Sequence, residues 1–236
     1  MNNSQSSLRT RSIRAFTLIE MLVVVAIIVL LLAFSQPALS RTLMASKLSG
    51  AGESLMGAIS EAQQLAFANN LPVDLRFFKT PNGFGENAAY RSYQIFKITQ
   101  VTTGMGVDAI IKEVLVPSGN LVNLPENILI VADDDLSPAF QGEGLPDTRD
   151  DSGNGYSGVQ GATYQAWRFM PDGSCRKVGQ SQNQMATLTY QNLTQSFFTI
   201  TSESGQPITV ANLPKNFFTI QVDPFTGKAR SYKPGF

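Results

Sequence analysis

The chain has 236 residues, with 18 Lys+Arg against 18 Asp+Glu for a formal net charge of zero, and 43% of its residues are apolar, enough to bury a sizeable core. It has no histidine and a single cysteine, Cys175. These absences exclude Ser-His-Asp and Cys-His catalytic units, HExxH zinc sites, intrachain disulfides and CxxC redox pairs, and the balanced charge argues against bulk nucleic-acid binding.

The first forty residues depart from the averages. Met1 to Ala15 carries Arg9, Arg11 and Arg14 and no acid, and Met21 to Ser40 then runs without any charge. Twenty helical residues rise ~30 Å, the thickness of a bilayer's hydrocarbon core, so this run is long enough to span. The basic flank predicts the preceding residues in the cytoplasm and everything beyond Arg41 outside. A cleaved secretory signal is the alternative, with Ala38-Leu39-Ser40 as a small-x-small cleavage site. Glu20 bears on the choice, because a carboxylate in an apolar helix costs up to ~3 kcal/mol at mid-bilayer unless it finds a partner.

The stretch Arg14-Ala15-Phe16-Thr17-Leu18-Ile19-Glu20 and the apolar run after it resemble the class III signal of type IV pilins and pseudopilins. The resemblance implies that a membrane prepilin peptidase cuts between Ala15 and Phe16 and methylates the new amine of Phe16. Ala15 stands where glycine is more usual, which implies slower processing. The resemblance also implies that Glu20 pairs with the amine of a neighbouring subunit during assembly, against the simpler reading of a residue snorkelling at the cytoplasmic interface. Pro37 is the twenty-second residue after the cut, where many pilins carry a helix-kinking proline. Implied partners are prepilin peptidase, other pilin or pseudopilin subunits, an inner-membrane assembly platform with its ATPase, and membrane lipid before assembly.

Residues 41–70 predict an amphipathic continuation of the helix, with Leu48, Ala51, Leu55, Ile59, Ala62 and Ala66 at three- and four-residue steps. Pro72 predicts its end near Asn69-Asn70. From Phe16 to Asn70 such a helix would be ~80 Å long, bent at Pro37 and softened at Gly50, Gly52 and Gly57.

Strands are expected over 72–79, 90–99, 109–116, 128–132, 163–170, 174–178, 186–190, 197–201, 217–222 and 228–232. Turn clusters at Pro171-Asp172-Gly173 and Asp223-Pro224-Phe225-Thr226-Gly227 join two of the hairpins. The expected architecture is α+β, pilin-like: leader 1–15, transmembrane helix 16–40, its exported continuation 41–70, and a β-rich domain 71–236 on an antiparallel sheet, with an acidic, glycine-rich loop at 133–161.

The passage Glu61 to Leu75, the hairpin around Trp167 to Ser174 and the late Thr226 to Arg230 are similar to minor pseudopilins of the H type (GspH/FimT) in type II secretion, and the layout also resembles protein D of the Verru_Chthon cassette families. The implied role is a minor subunit of a periplasmic or surface filament, held in the inner membrane with its carboxy-terminal domain periplasmic. The alternatives are a filament-tip module contacting DNA or exported cargo, and a secreted β domain.

Three smaller features complete the reading. Asp147, Asp150 and Asp151 offer hard oxygens that a calcium ion would take, with a solvated surface loop as the competing explanation. Lys228, Arg230 and Lys233 place three cations near Tyr232, a possible nucleic-acid contact that alternation along a last strand explains equally well. Arg176 and Lys177 would lower the pKa of Cys175 if the thiol faced them, whereas a partly buried thiol would be inert. No set of residues points to catalysis, and no cofactor other than calcium is suggested.

Overall fold

A computed structural model describes residues 16–79, 89–104, 110–146, 162–182 and 185–234. The chain divides into two compact units, Met1–Leu43 and Met44–Phe236. One helix, α1 (Leu18–Asn69), contributes to both.

In the first unit α1 is apolar on all sides, and the side chains from Phe16 to Leu32 are exposed. The helix backbone continues through Pro37, while the side chains of 34–39 and 41 lie outside the description.

In the second unit α1 is amphipathic as its spacing predicts. Leu48, Ala51, Leu55, Ala58, Ile59, Ala62 and Ala66 are all buried. The helix stops where the sequence says it should. Asn70 takes the left-handed conformation (φ 51°), Leu71 N–H bonds to Ala66 O at 3.3 Å and Asn70 N–H to Phe67 O at 3.4 Å. This is a Schellman ending with asparagine in the usual place of glycine.

Among the described residues twelve strands follow: β1 (Val73–Lys79), β2 (Tyr90–Thr103), β3 (Ile110–Pro117), β4 (Val122–Asn123), β5 (Ile128–Ile130), β6 (Leu145–Pro146), β7 (Thr163–Phe169), β8 (Cys175–Gln182), β9 (Met185–Thr189), β10 (Phe197–Ser202), β11 (Phe217–Val222) and β12 (Ala229–Tyr232). They form one sheet in the order β12-β11-β10-β5-β2-β1-β7-β8-β9, with β3 and β4 on β2 and β6 on β7. Every pairing is antiparallel. The α+β plan is therefore observed, with the expected strands present. β2 runs past the expected Thr99 to Thr103 because β3 pairs with it that far. The two-residue strands β4 and β6 had no periodic signal and were not expected.

Alternation splits β1 between the two faces of the sheet. Val73, Leu75 and Phe77 join the helix residues, Trp167, Phe198, Ile200, Phe218 and Ile220 in the main core. Phe78 belongs to a second cluster with Phe96, Ile98, Tyr164 and Val178. Gly52 is no soft point in α1: a Cβ there would stand 2.6 Å from the Phe218 ring, so glycine is what lets β11 pack against the helix.

Four charges accompany the second cluster. Arg168 donates to both Asp74 oxygens (2.6 and 3.1 Å) and both Glu113 oxygens (2.6 and 3.0 Å), and Glu113 also accepts from the Ala186 N–H of β9 at 3.3 Å. Arg76 lies 4.0 Å from Asp74 and over the rings of Tyr164 and Phe96. Two guanidinium groups and two carboxylates balance, which is how charges survive burial. Burial alone would lower the Arg168 pKa, but Asp74 and Glu113 more than reverse this and hold it above its ordinary value.

The two expected turns meet. Cys175 N–H, just after the β7–β8 turn, bonds to Pro224 O in the β11–β12 turn at 2.7 Å. Gln63 of α1 donates to Thr226 O at 2.6 Å. Gly227 has φ 65°, and a Cβ on it would fall 2.7 Å from Gly173 O, so two distant strand ends are fastened over the helix.

Candidate processing and assembly site

The chemistry-bearing segment of the first unit is the start of α1. Thr17 is its N-cap: Glu20 N–H donates to Thr17 Oγ1 at 3.3 Å, and Thr17 N–H donates to Glu20 Oε2 at 3.5 Å. This is a capping box, and its sequence signature is Thr17-x-x-Glu20, a local signal beside the one that marks Glu20 for assembly. The carboxylate of the single chain thus already satisfies its own first turn and complements the positive end of the helix.

Phe16, immediately before it, is 68% exposed and Leu18 is 86% exposed. Apolar side chains continue on every side of the helix to Leu32, an area that water leaves costly to expose. Phe16 is exposed at the start of a capped helix, and a carboxylate four residues on can attract a cation. Ala15 itself lies outside the described residues, and of Pro37 only the helical backbone is described.

Residues 10–35 match the prokaryotic N-terminal methylation motif.

The methylation motif includes Ala15, Phe16 and Glu20, and it supports a pilin-like or pseudopilin-type precursor. It implies processing by prepilin peptidase and assembly with other pilins. It covers the leader and the start of α1 and says nothing of the sheet. No curated protein and no solved structure matches the chain. Among the described residues no helix is long and apolar enough to cross a membrane.

The remaining candidates are placed as follows. Asp147, Asp150 and Asp151 lie outside the described residues, as does the rest of 147–161. In the described part of the acidic loop, Asp133 Oδ1 accepts from the N–H groups of Asp135 (3.0 Å) and Leu136 (3.1 Å). Among the described residues no three acids, cysteines or histidines gather as a metal site. A cleft of about 240 Å³ beside β5 is lined by Asp133 and Glu203, and both are engaged, Glu203 by Arg91 at 2.6 Å.

Lys228, Arg230 and Lys233 are exposed but not gathered. Arg230 pairs with Gln221 and Tyr232 with Thr219, on the sheet face away from α1. Lys233 Nζ instead lies 4.8 Å from the Phe218 ring and 3.4 Å from Ser49 Oγ, on the helix side. The trio therefore does not form one basic face.

Of the two readings of Cys175, the buried, inert thiol is the one observed. It is buried in the main core, and burial pushes its pKa up. Its two basic neighbours turn elsewhere: Arg176 covers the Tyr190 ring at 4.5 Å, and Lys177 Nζ donates to Gln141 O at 2.6 Å.

Proposed function

We propose that this chain is a minor pilin-like subunit, of the H-type pseudopilin kind, whose work is assembly and not catalysis. The observation that carries the reading is the methylation motif over residues 10–35 on a helix whose described apolar side chains from Phe16 to Leu32 are exposed. In this account the charge-free run Met21–Ser40 sits in the inner membrane, the sheet domain is periplasmic, and a platform with a cytoplasmic ATPase moves the helix from lipid into a filament. Cleavage at Ala15–Phe16 removes three arginines and creates an amine four residues before Glu20. The Glu20 carboxylate then exchanges its capping bond to Thr17 for the amine of a neighbouring subunit, so that a charge costly in lipid selects the register. The domain passages 61–75 and 167–174 favour the H-type assignment by resemblance.

Intact mass and amino-terminal sequencing of the mature protein test the processing step. The expected product begins at a methylated Phe16; a product beginning at Arg41 would instead mean an ordinary signal peptide. Glu20→Gln should leave cleavage largely intact while at least a tenfold smaller share of the protein co-purifies with filaments. Wild-type incorporation of that variant would remove the pairing step.

A further inference from the structure

We propose that Asn192 is an N-glycosylation acceptor, taking a saccharide from a polyprenyl phosphate- or diphosphate-linked donor. The proposal rests on the reading that the sheet domain is exported.

The sequence holds two Asn-x-Ser/Thr triplets, Asn2-Asn3-Ser4 and Asn192-Leu193-Thr194. This is the acceptor pattern of N-linked glycosylation on surface segments of exported chains. The first falls in the leader. The second lies between β9 and β10, where all three residues are exposed. Asn192 has an extended backbone (φ −67°, ψ 145°), and its side chain makes no capping hydrogen bond to the short turn Leu193–Gln195 that follows, which buries none of its own residues. Releasing this turn into an extended, enzyme-bound form costs few contacts: Gln195 N–H and Ser196 Oγ to Asn192 O, and Ser196 N–H and Gln221 Nε2 to Leu193 O. Local openings of this kind lie at the low end of a domain's stability scale. The residue before the triplet is anchored, since Trp167 Nε1 donates to Gln191 Oε1 at 3.3 Å.

A second observation converges on the same place. Two residues before Asn192, the Tyr190 ring stacks with Phe225 at 6.4 Å and 21°, yet the two residues are 53% and 74% exposed, and Leu193 is 48% exposed. Arg176 already covers the Tyr190 ring, so the apolar surface left for the first sugars of a saccharide rooted at Asn192 is that of its neighbour Leu193.

The transfer balances without any redox partner. The Asn192 Nδ2 forms a bond to C1 of the first sugar as the C1–O bond to phosphate breaks. One amide proton is lost, and the lipid phosphate leaves with the bonding electron pair.

The test is peptide mass mapping of the full-length protein recovered from its native membrane and filament fractions. The peptide containing Asn192 should carry an increment equal to whole saccharide units, absent from Asn192→Gln and Thr194→Ala and kept in Thr194→Ser. A bare Asn192 peptide in molecules that begin at Phe16 overturns the proposal, as does an increment that persists in Asn192→Gln. Molecules that all retain Met1 overturn the processing reading, and protease treatment of intact spheroplasts that leaves the sheet domain uncut overturns the export reading itself, so each failure is separated from that of the acceptor.

Discussion

Arg168 carries more of the sheet's second face than its share of the sequence suggests. Its guanidinium joins β7 to β1 through Asp74 and to β3 through Glu113, and Glu113 in turn reaches β9. Asp74 is fully buried, so Arg168→Met would leave Asp74 with Arg76 at 4.0 Å as its nearest cation. Removing one member of a buried ion cluster typically costs ~3–5 kcal/mol, and urea denaturation should show a loss of that order; an unchanged midpoint would mean the cluster is dispensable. Tyr90 makes a separate pH-dependent contribution. Burial raises its pKa to about 12 from 10.0, so the folded chain holds the phenol proton more tightly than the unfolded chain. The associated stability is complete below pH 10 and is lost as pH rises from 10 to about 12, amounting to ~3 kcal/mol at most. Tyr90→Phe should flatten the alkaline limb of the stability profile in that window, and an equally steep limb would assign the loss to other groups.

The glycines of α1 behave differently although all stand on one helix. Gly52 faces the Phe218 ring at 2.6 Å for a virtual Cβ, whereas Gly50 and Gly57 have nothing within 4 Å. Gly52→Ala should therefore destabilise by ~1–3 kcal/mol through overpacking, while Gly57→Ala should stabilise by ~0.5–1 kcal/mol through helix propensity. Thermal melts of the two variants should move in opposite directions; a shared direction would mean that propensity or packing alone governs the helix. The elements themselves were largely legible, because local signals set them. Alternation marks β1, the Asp-Gly turn marks the β7–β8 hairpin, and Asn70 before Leu71-Pro72 marks the end of α1. The sequence did not reveal the role of Gly52, because Phe218 lies far along the chain. For the same reason the charges in VDLRFFK and TYQAWRF did not announce a shared cluster: Asp74 and Arg168 meet only through the pairing of β1 with β7.

At the scale of the whole molecule the two units have opposite relations to water. Met44–Phe236 closes its apolar side chains into cores, whereas Phe16 to Leu32 leaves them bare. A fragment starting at Met44 should be soluble and unfold cooperatively, while the mature chain from Phe16 should require detergent. Gel filtration and circular dichroism of both check this, and a fragment that aggregates would make the first unit part of the fold. The proposed cleavage would also change the charge: removing Arg9, Arg11 and Arg14 from 18 bases would leave 15 against 18 acids. The methylation motif was legible because its signal is linear; strand order was not, because β5 sits between β10 and β2 through contacts that no local pattern encodes.

The fastening of the two turns over Gln63 fixes an order of events in time. The helix comes early in the chain, yet Phe218 fills the space beside Gly52 and Thr226 receives the Gln63 bond across 163 residues. Contacts so distant in sequence form slowly and late. While the chain is being made, the part of α1 beside Gly52 and Gln63 therefore stays uncovered until the segment around 217–227 has emerged. The core cannot be completed ahead of that moment, so the last two strands act as the closing step of the domain rather than as a late addition to it.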